Sequence, residues 1–254
     1  MSDQVTVYVP RDSAAKSVGA DEVAAAIEQD PRVRLVRNGS RGMLWLEPLV
    51  EVVTSAGRIG YGPVALDDVE GLFEAGFLDG AEHPLRVGPV DEQEWLASQT
   101  RVTFARVGVV DPLSTEDYEW HGGMVGLRRA LELSQEQVVT EVTESGLRGR
   151  GGAGFPTGIK WKTVLGAKSE LKFVCCNADE GDSGTFADRM LMEGDPFTLI
   201  EGHDHRRICG RRDRGLHLRT VRVSGRGRDP ATGDRYRVRA RLAGRARARG
   251  RFFL

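Results

Sequence analysis

Gly146-Leu147-Arg148-Gly149-Arg150-Gly151-Gly152-Ala153-Gly154-Phe155-Pro156-Thr157-Gly158-Ile159-Lys160-Trp161 decides how the rest of the chain is read. Six glycines fall within thirteen residues, Gly146 to Gly158. Glycine accepts positive φ and lets backbone come close to another group. A run of such residues turns its N–H groups inward as a nest for anionic oxygens. Arg148, Arg150 and Lys160 add positive charge to the same loop. Phosphate binding by main-chain donors, with cations completing the neutralisation, is the chemistry this composition suggests. A solvated glycine-rich surface loop is the other reading. The string is not a Walker loop, because Gly158 is followed by Ile159 rather than by Lys and Ser or Thr. Gly149-x-Gly151-x-x-Gly154 matches a dinucleotide fingerprint, but that fingerprint should follow a strand, and here a helix is expected before it.

A second landmark follows at Cys176-Asn177-Ala178-Asp179-Glu180-Gly181-Asp182-Ser183-Gly184-Thr185-Phe186-Ala187-Asp188-Arg189. Read from the residues alone, Asn177, Asp179 and Glu180 are either hydrogen-bonding groups for ribose hydroxyls and a ring edge or a solvated acidic turn. Phe155 is either a stacking aromatic or ordinary core packing. Taken together, the two strings and their separation resemble the flavoprotein subunit of respiratory complex I and its soluble relatives, the NAD-dependent formate dehydrogenases and NAD-linked hydrogenases. The resemblance implies an FMN site and an NAD site. It places Gly149, Arg150, Gly151, Gly152, Gly154 and Lys160 on the FMN phosphate and its charge, and Phe155 on the nicotinamide nucleotide. Asn177, Asp179 and Glu180 would line the flavin and nucleotide pocket. It also implies hydride transfer between NAD(H) and FMN, with single electrons passed on to iron–sulfur clusters of other subunits. No side chain is required as a general acid or base, since the cofactor carries the redox chemistry.

The expected fold class is α/β, with a thioredoxin-like module, residues 1–80, ahead of a partial Rossmann-like FMN-binding domain, residues 102–202. In the module, strands are expected at Val5–Val9, Val33–Val36, Leu44–Val53 and Arg58–Val64. Helices are expected at Ala20–Gln29 and at Asp67–Ala75, the latter ended by Gly76. Such modules in the family hold a two-iron cluster through four cysteines, yet residues 1–174 contain no cysteine. A scaffolding or docking role follows, and the cluster-free module makes the resemblance nearest to the formate dehydrogenase branch. Residues 81–101 read as a linker, Val102–Val109 as a strand, and Asp111–Gly123 as a loop with a surface His121. Helices are expected at Gly126–Leu133 and at Gln135–Ser145, the second opened by a Ser134/Gln137 capping box and closed by Gly146. A helix starting near Trp161, a buried strand at Leu171–Cys176 and a helix opened by Asp195-Pro196 complete the domain.

The last stretch is of another kind. Residues 203–254 hold 17 arginines, no lysine, four aspartates and no glutamate, a net charge of +13, so residues 1–202 carry −14. This reads either as a disordered basic tail able to touch nucleic acid or as GC-rich DNA translated out of frame. His203-Asp204-His205-Arg206 permits Met-Thr-Ile-Ala one base later, and Arg212 onward permits family-like text in the same way. The second reading is adopted: an incomplete copy, shifted near codon 203, with no nucleic-acid partner. The family's four-cysteine [4Fe-4S] segment is then absent from this chain, and weak or no FMN retention on purification is expected. Three cysteines, Cys175, Cys176 and Cys209, fit a reducing cytoplasm, and no apolar run is long enough to insert in a membrane. The partners implied are the iron–sulfur and catalytic subunits of a multi-subunit dehydrogenase. A hydrogenase diaphorase subunit and a non-enzymatic docking protein are the alternatives.

Overall fold

The structure is a computed structural model and describes residues 4–150, 152–169, 172, 176–178, 180 and 184–210. The chain divides into two compact units, residues 1–121 with 186–196, and residues 122–185 with 197–254.

The first unit is built on a five-stranded sheet of order β2-β1-β3-β4-β5. Its strands are β1 Val5–Tyr8, β2 Val33–Val36, β3 Val50–Thr54, β4 Gly57–Tyr61 and β5 Arg86–Pro89. β1 and β2 are parallel, with Val5 opposite Val33, because helix α2, Ala20–Ile27, crosses between them. The remaining pairs are antiparallel, with Val7 opposite Val52 and Val52 opposite Ile59. A short helix α1, Ser13–Lys16, precedes α2, and α3, Val69–Ala75, follows β4. This β-α-β-β-β-type layer with its terminal helix is the thioredoxin-like arrangement expected. Val7, Val50, Val52, Ile59 and Tyr61 of the sheet share one core with Val23, Ala24 and Ile27 of α2 and with Val69 and Leu72 of α3. Phe77 packs edge-to-face on both Tyr61 and Phe73, a geometry aromatic quadrupoles favour.

Several boundaries differ from expectation. Leu44–Val53 is not one strand: residues 44–46 form a single tight turn, and pairing begins at Val50. Pro48 has no N–H for a ladder and breaks the run. The stretch 81–101 is not a simple linker, since β5 lies within it, adding an edge to β4, and helix α4, Glu94–Ala97, follows. Val102–Val109 is a series of turns, not a strand. Val109 and Val110 both donate to the Arg106 carbonyl, and Gly108 sits at φ +82°. The carbonyls that a strand would offer a neighbour are taken by side chains: Asn38 Nδ2 donates to Gly108 O at 2.7 Å and Arg58 to Val109 O at 2.7 Å. Asp111–Gly123 contains helix α5, Thr115–Trp120, capped by the Ser114 hydroxyl. His121 follows that helix, and its Nδ1 lies 3.1 Å from the Asp117 carboxylate.

In the second unit, helix α6 spans Val125–Glu132, α7 Gln135–Glu144 and α8 Thr157–Gly166. The Ser134/Gln137 capping box is present. α8 starts four residues before Trp161, directly after Pro156. Helix α9, Ala187–Gly194, has no counterpart among the expected elements, while α10 begins at Pro196 as expected and runs through His203 to Gly210 rather than stopping at Gly202. Of the strand expected at Leu171–Cys176, residues 171 and 173–175 lie outside the described residues.

Candidate functional site

The glycine-rich loop is a closed excursion between α7 and α8. Gly146, at φ +68°, stops α7, where a β-carbon would be strained. The chain then leaves the helix and returns. Leu147 O accepts from Thr157 N at 2.8 Å, and Gly149 N donates to Phe155 O at 2.9 Å. Arg148 and Pro156 form a bridge across this neck. Arg148 Nε donates to Gly154 O at 2.6 Å, bracing the loop from within. The Gly149 N–H and the Arg148 Nε–H are therefore spent on shaping the loop. Among the described residues, no main-chain bond is made by the N–H groups of Arg150, Gly152, Ala153 and Gly154. Gly152 and Gly154 lie at φ +91° and +58°, and a β-carbon at Gly152 would meet nothing within 4 Å. That open side is where a ligand group has room.

One cation is placed against the neck of the loop. Lys160, one turn into α8, reaches back so that its Nζ lies 5.6 Å from the Phe155 ring centroid and 3.9 Å from where a Gly149 β-carbon would be. Among the described residues neither Lys160 nor Arg150 forms an ion pair. The first N–H of α8, that of Thr157, is taken by Leu147 O, and the positive end of the helix dipole lies at this neck. Phe155 is about half exposed, so it is no core residue; its ring is available to stack.

Two helices fix the loop's ends. Gly158 of α8 meets Thr143 of α7 so closely that a β-carbon would come within 2.6 Å of the Thr143 Cα. Trp161 and Leu165 of α8 pack on Ala130, Val138 and Val139. Glu201 of α10 accepts from the N–H groups of Met124 at 2.8 Å and Leu127 at 3.0 Å, capping α6 from another element. Sequence reasoning missed Gly158 and Glu201, because neither contact leaves a local signature.

The structure thus brings together Gly149, Gly152, Gly154, Phe155 and Lys160, with Arg150 on the exposed rim. Asn177 is exposed and Glu180 half-buried, while Gly151 and Asp179 lie outside the described residues. Positive-φ glycines beside the Lys160 ammonium are groups compatible with an anion such as a phosphate.

This is the segment that comparison with known proteins identifies. Residues 142–210 match the family model described as the Nuo51 FMN-binding domain. More particularly, the chain is 53% identical over 102 residues to an NADH-quinone oxidoreductase subunit of Rhizobium meliloti, covering 40% of this chain and 24% of that one. It is 50% identical over 103 residues to the NADP-reducing hydrogenase subunit HndC of Solidesulfovibrio fructosivorans, 41% of this chain and 21% of that one. The chain spans about a quarter or less of the length of these curated relatives. Among solved structures, the thioredoxin-like [2Fe-2S] ferredoxin of Aquifex aeolicus aligns at 21% identity and a TM-score of 0.30, covering 34% of this chain and 98% of that one. An NAD+-reducing [NiFe]-hydrogenase in the air-oxidised state aligns at 20% identity and a TM-score of 0.34, covering 83% and 36%. No helix among the described residues is long and apolar enough to cross a membrane.

Proposed function

We infer that the loop closing between α7 and α8 receives the phosphate of FMN, and that the chain derives from the flavoprotein subunit of an NAD-dependent dehydrogenase. The observation that carries this is the coincidence of the braced loop, its open glycine side and the Lys160 ammonium with the residues matched by the FMN-binding family model. Backbone N–H groups of Gly151, Gly152 and Gly154 would hold the phosphate. Lys160 and Arg150 would offset its charge. Phe155 would pack against the nicotinamide nucleotide, and Asn177, Asp179 and Glu180 would accept from ribose hydroxyls and the flavin edge. FMN, when bound, supplies the exchange between two-electron and one-electron chemistry. The electrons would pass to iron–sulfur clusters on partner subunits.

Formate dehydrogenase is the form we favour, because residues 1–174 lack any cysteine to ligate a cluster. The hydrogenase diaphorase is the second reading, favoured by the similarity to the hydrogenase subunit HndC. We also hold that residues 203–254 derive from a one-base shift near codon 203, which the nucleotide sequence tests directly. Early stops or no family-like text in the shifted frame would remove the idea.

The site is tested by titrating the chain with FMN and with riboflavin, following flavin emission. We expect FMN to bind at least about tenfold tighter than riboflavin, since charge-assisted hydrogen bonds to the phosphate are the main contacts. Lys160→Gln should erase most of that difference. Equal affinity for the two flavins would overturn the phosphate assignment. The chain should nonetheless lose flavin during purification; a stoichiometric yellow protein would contradict that expectation.

A further inference from the structure

On the first unit, away from the glycine loop in sequence, a cavity of about 380 Å³ is lined by Met43, Trp45, Leu46, Gln93, Glu94, Trp95 and Ser98. Trp45 and Trp95 are 59% and 52% exposed, an unusual state for so large an apolar side chain. Their rings pack on each other edge-to-face, with centroids 5.6 Å apart and planes at 87°. Two indoles at a right angle, each more than half exposed, form an open corner. Met43 is buried and Leu46 partly so, while Glu94 is exposed to solvent. Asp91 and Glu92 adjoin it in sequence, and Asp91 already serves Arg41 at 2.9 Å. Among the described residues no cation lines the cavity.

An apolar occupant would desolvate Glu94 without repaying it, and an anion would be repelled. A cation satisfies both the ring faces, whose quadrupoles attract positive charge, and the carboxylate. Among cations, guanidinium is planar, stacks on indole and keeps N–H donors at its edge for a carboxylate. A quaternary ammonium has no donor to use on Glu94. The net charge of −11 over residues 1–121 adds a general attraction for a basic partner. We propose that this corner is a docking point for an arginine side chain of a partner polypeptide.

The test uses the full chain and the indole N–H signals of its four tryptophans, Trp45, Trp95, Trp120 and Trp161, by NMR at constant ionic strength. The probe is acetyl-Gly-Arg-Gly-amide, compared with the same peptide carrying citrulline, the uncharged isostere, and with tetramethylammonium. We expect saturable shifts of Trp45 and Trp95 alone, with millimolar affinity for so small a probe. Citrulline should bind at least fivefold more weakly, as should the arginine peptide to Glu94→Gln. Trp95→Ala should lose the Trp45 response while keeping its helical circular dichroism, since Trp95 is an exposed residue. Equal binding of citrulline, tighter binding of tetramethylammonium, an unchanged Trp45 response in Trp95→Ala, or shifts spread over all four indoles would each overturn the proposal.

Discussion

At the residue scale, Gly158 and Glu47 carry more than their composition suggests. Gly158 lets α8 lie directly on Thr143 of α7, where a β-carbon would strike main chain rather than a yielding side-chain tip. Gly158→Ala must therefore part the helices that hold the loop's ends. We expect it to cost about 1–3 kcal/mol in urea denaturation, the usual range for overpacking, and to weaken FMN binding as well. Glu47 is buried beside Asp12 and Glu51. Burial pushes its carboxyl up to about 7, the two carboxylates add to this, and the Ser40 hydroxyl and the Leu49 N–H lower it only in part. A carboxyl raised in the folded state binds its proton more tightly there than in the unfolded chain. Its stabilising contribution is thus complete below about pH 4.5 and is lost as pH rises through about 7. Glu47→Gln, which cannot ionise, should flatten the fall in stability between pH 5 and 8 by roughly 3 kcal/mol at most. Parallel pH profiles for the two proteins, by thermal or urea unfolding, would refute the assignment.

At the element scale, β3 shows how a strand serves two faces. Val50 and Val52 point into the apolar core, while Glu51 between them points the other way, as the two-residue period requires. There it takes Arg41 in a bidentate pair at 2.8 and 2.9 Å, and Arg58 at 3.4 Å. The Arg58 guanidinium carbon also lies over the Tyr8 ring, 3.6 Å from its centroid, and Arg58 donates to Val109 O. Removing one partner of such a buried set leaves a charge unpaired, so Glu51→Ala should destabilise the unit by about 3–5 kcal/mol, whereas replacing Arg41 and Glu51 together by apolar residues should cost far less. At α6, Glu201→Ala removes an acceptor of two N–H groups and should cost about 1–2 kcal/mol in the same measurement. These elements also show what was legible in the sequence. Val33–Val36, the Gly76 stop, the Ser134 capping box and the start of α10 were readable, because each rests on neighbours in the chain. β5 and the turns at 102–110 were not, because a partner strand and the side chains of Asn38 and Arg58 decide them from a distance. Of the site, the loop and its cations were readable from composition. The commitment of the Gly149 N–H to Phe155 was not, since it depends on how the loop closes.

At the scale of the molecule, the first unit has a thioredoxin-like layer and no cysteine within residues 1–174. Purified chain, reconstituted with iron and sulfide and then reduced, should show no [2Fe-2S] signal in electron paramagnetic resonance; a stoichiometric signal would mean ligation by other side chains. The same unit is not continuous in sequence, for it takes back residues 186–196 after the chain has run through 122–185. Glu193 there accepts from both the N–H and the hydroxyl of Ser13, at 2.9 and 3.0 Å, and the fully buried Asp195 takes Arg106 Nε at 2.9 Å. On a ribosome, where the amino end emerges first, the layer of strands is translated long before its last two acidic clasps exist. A fragment cut after His121 would leave Ser13 and Arg106 without those carboxylates, so the amino-terminal half cannot finish its own assembly until the glycine-rich loop has already left the exit tunnel.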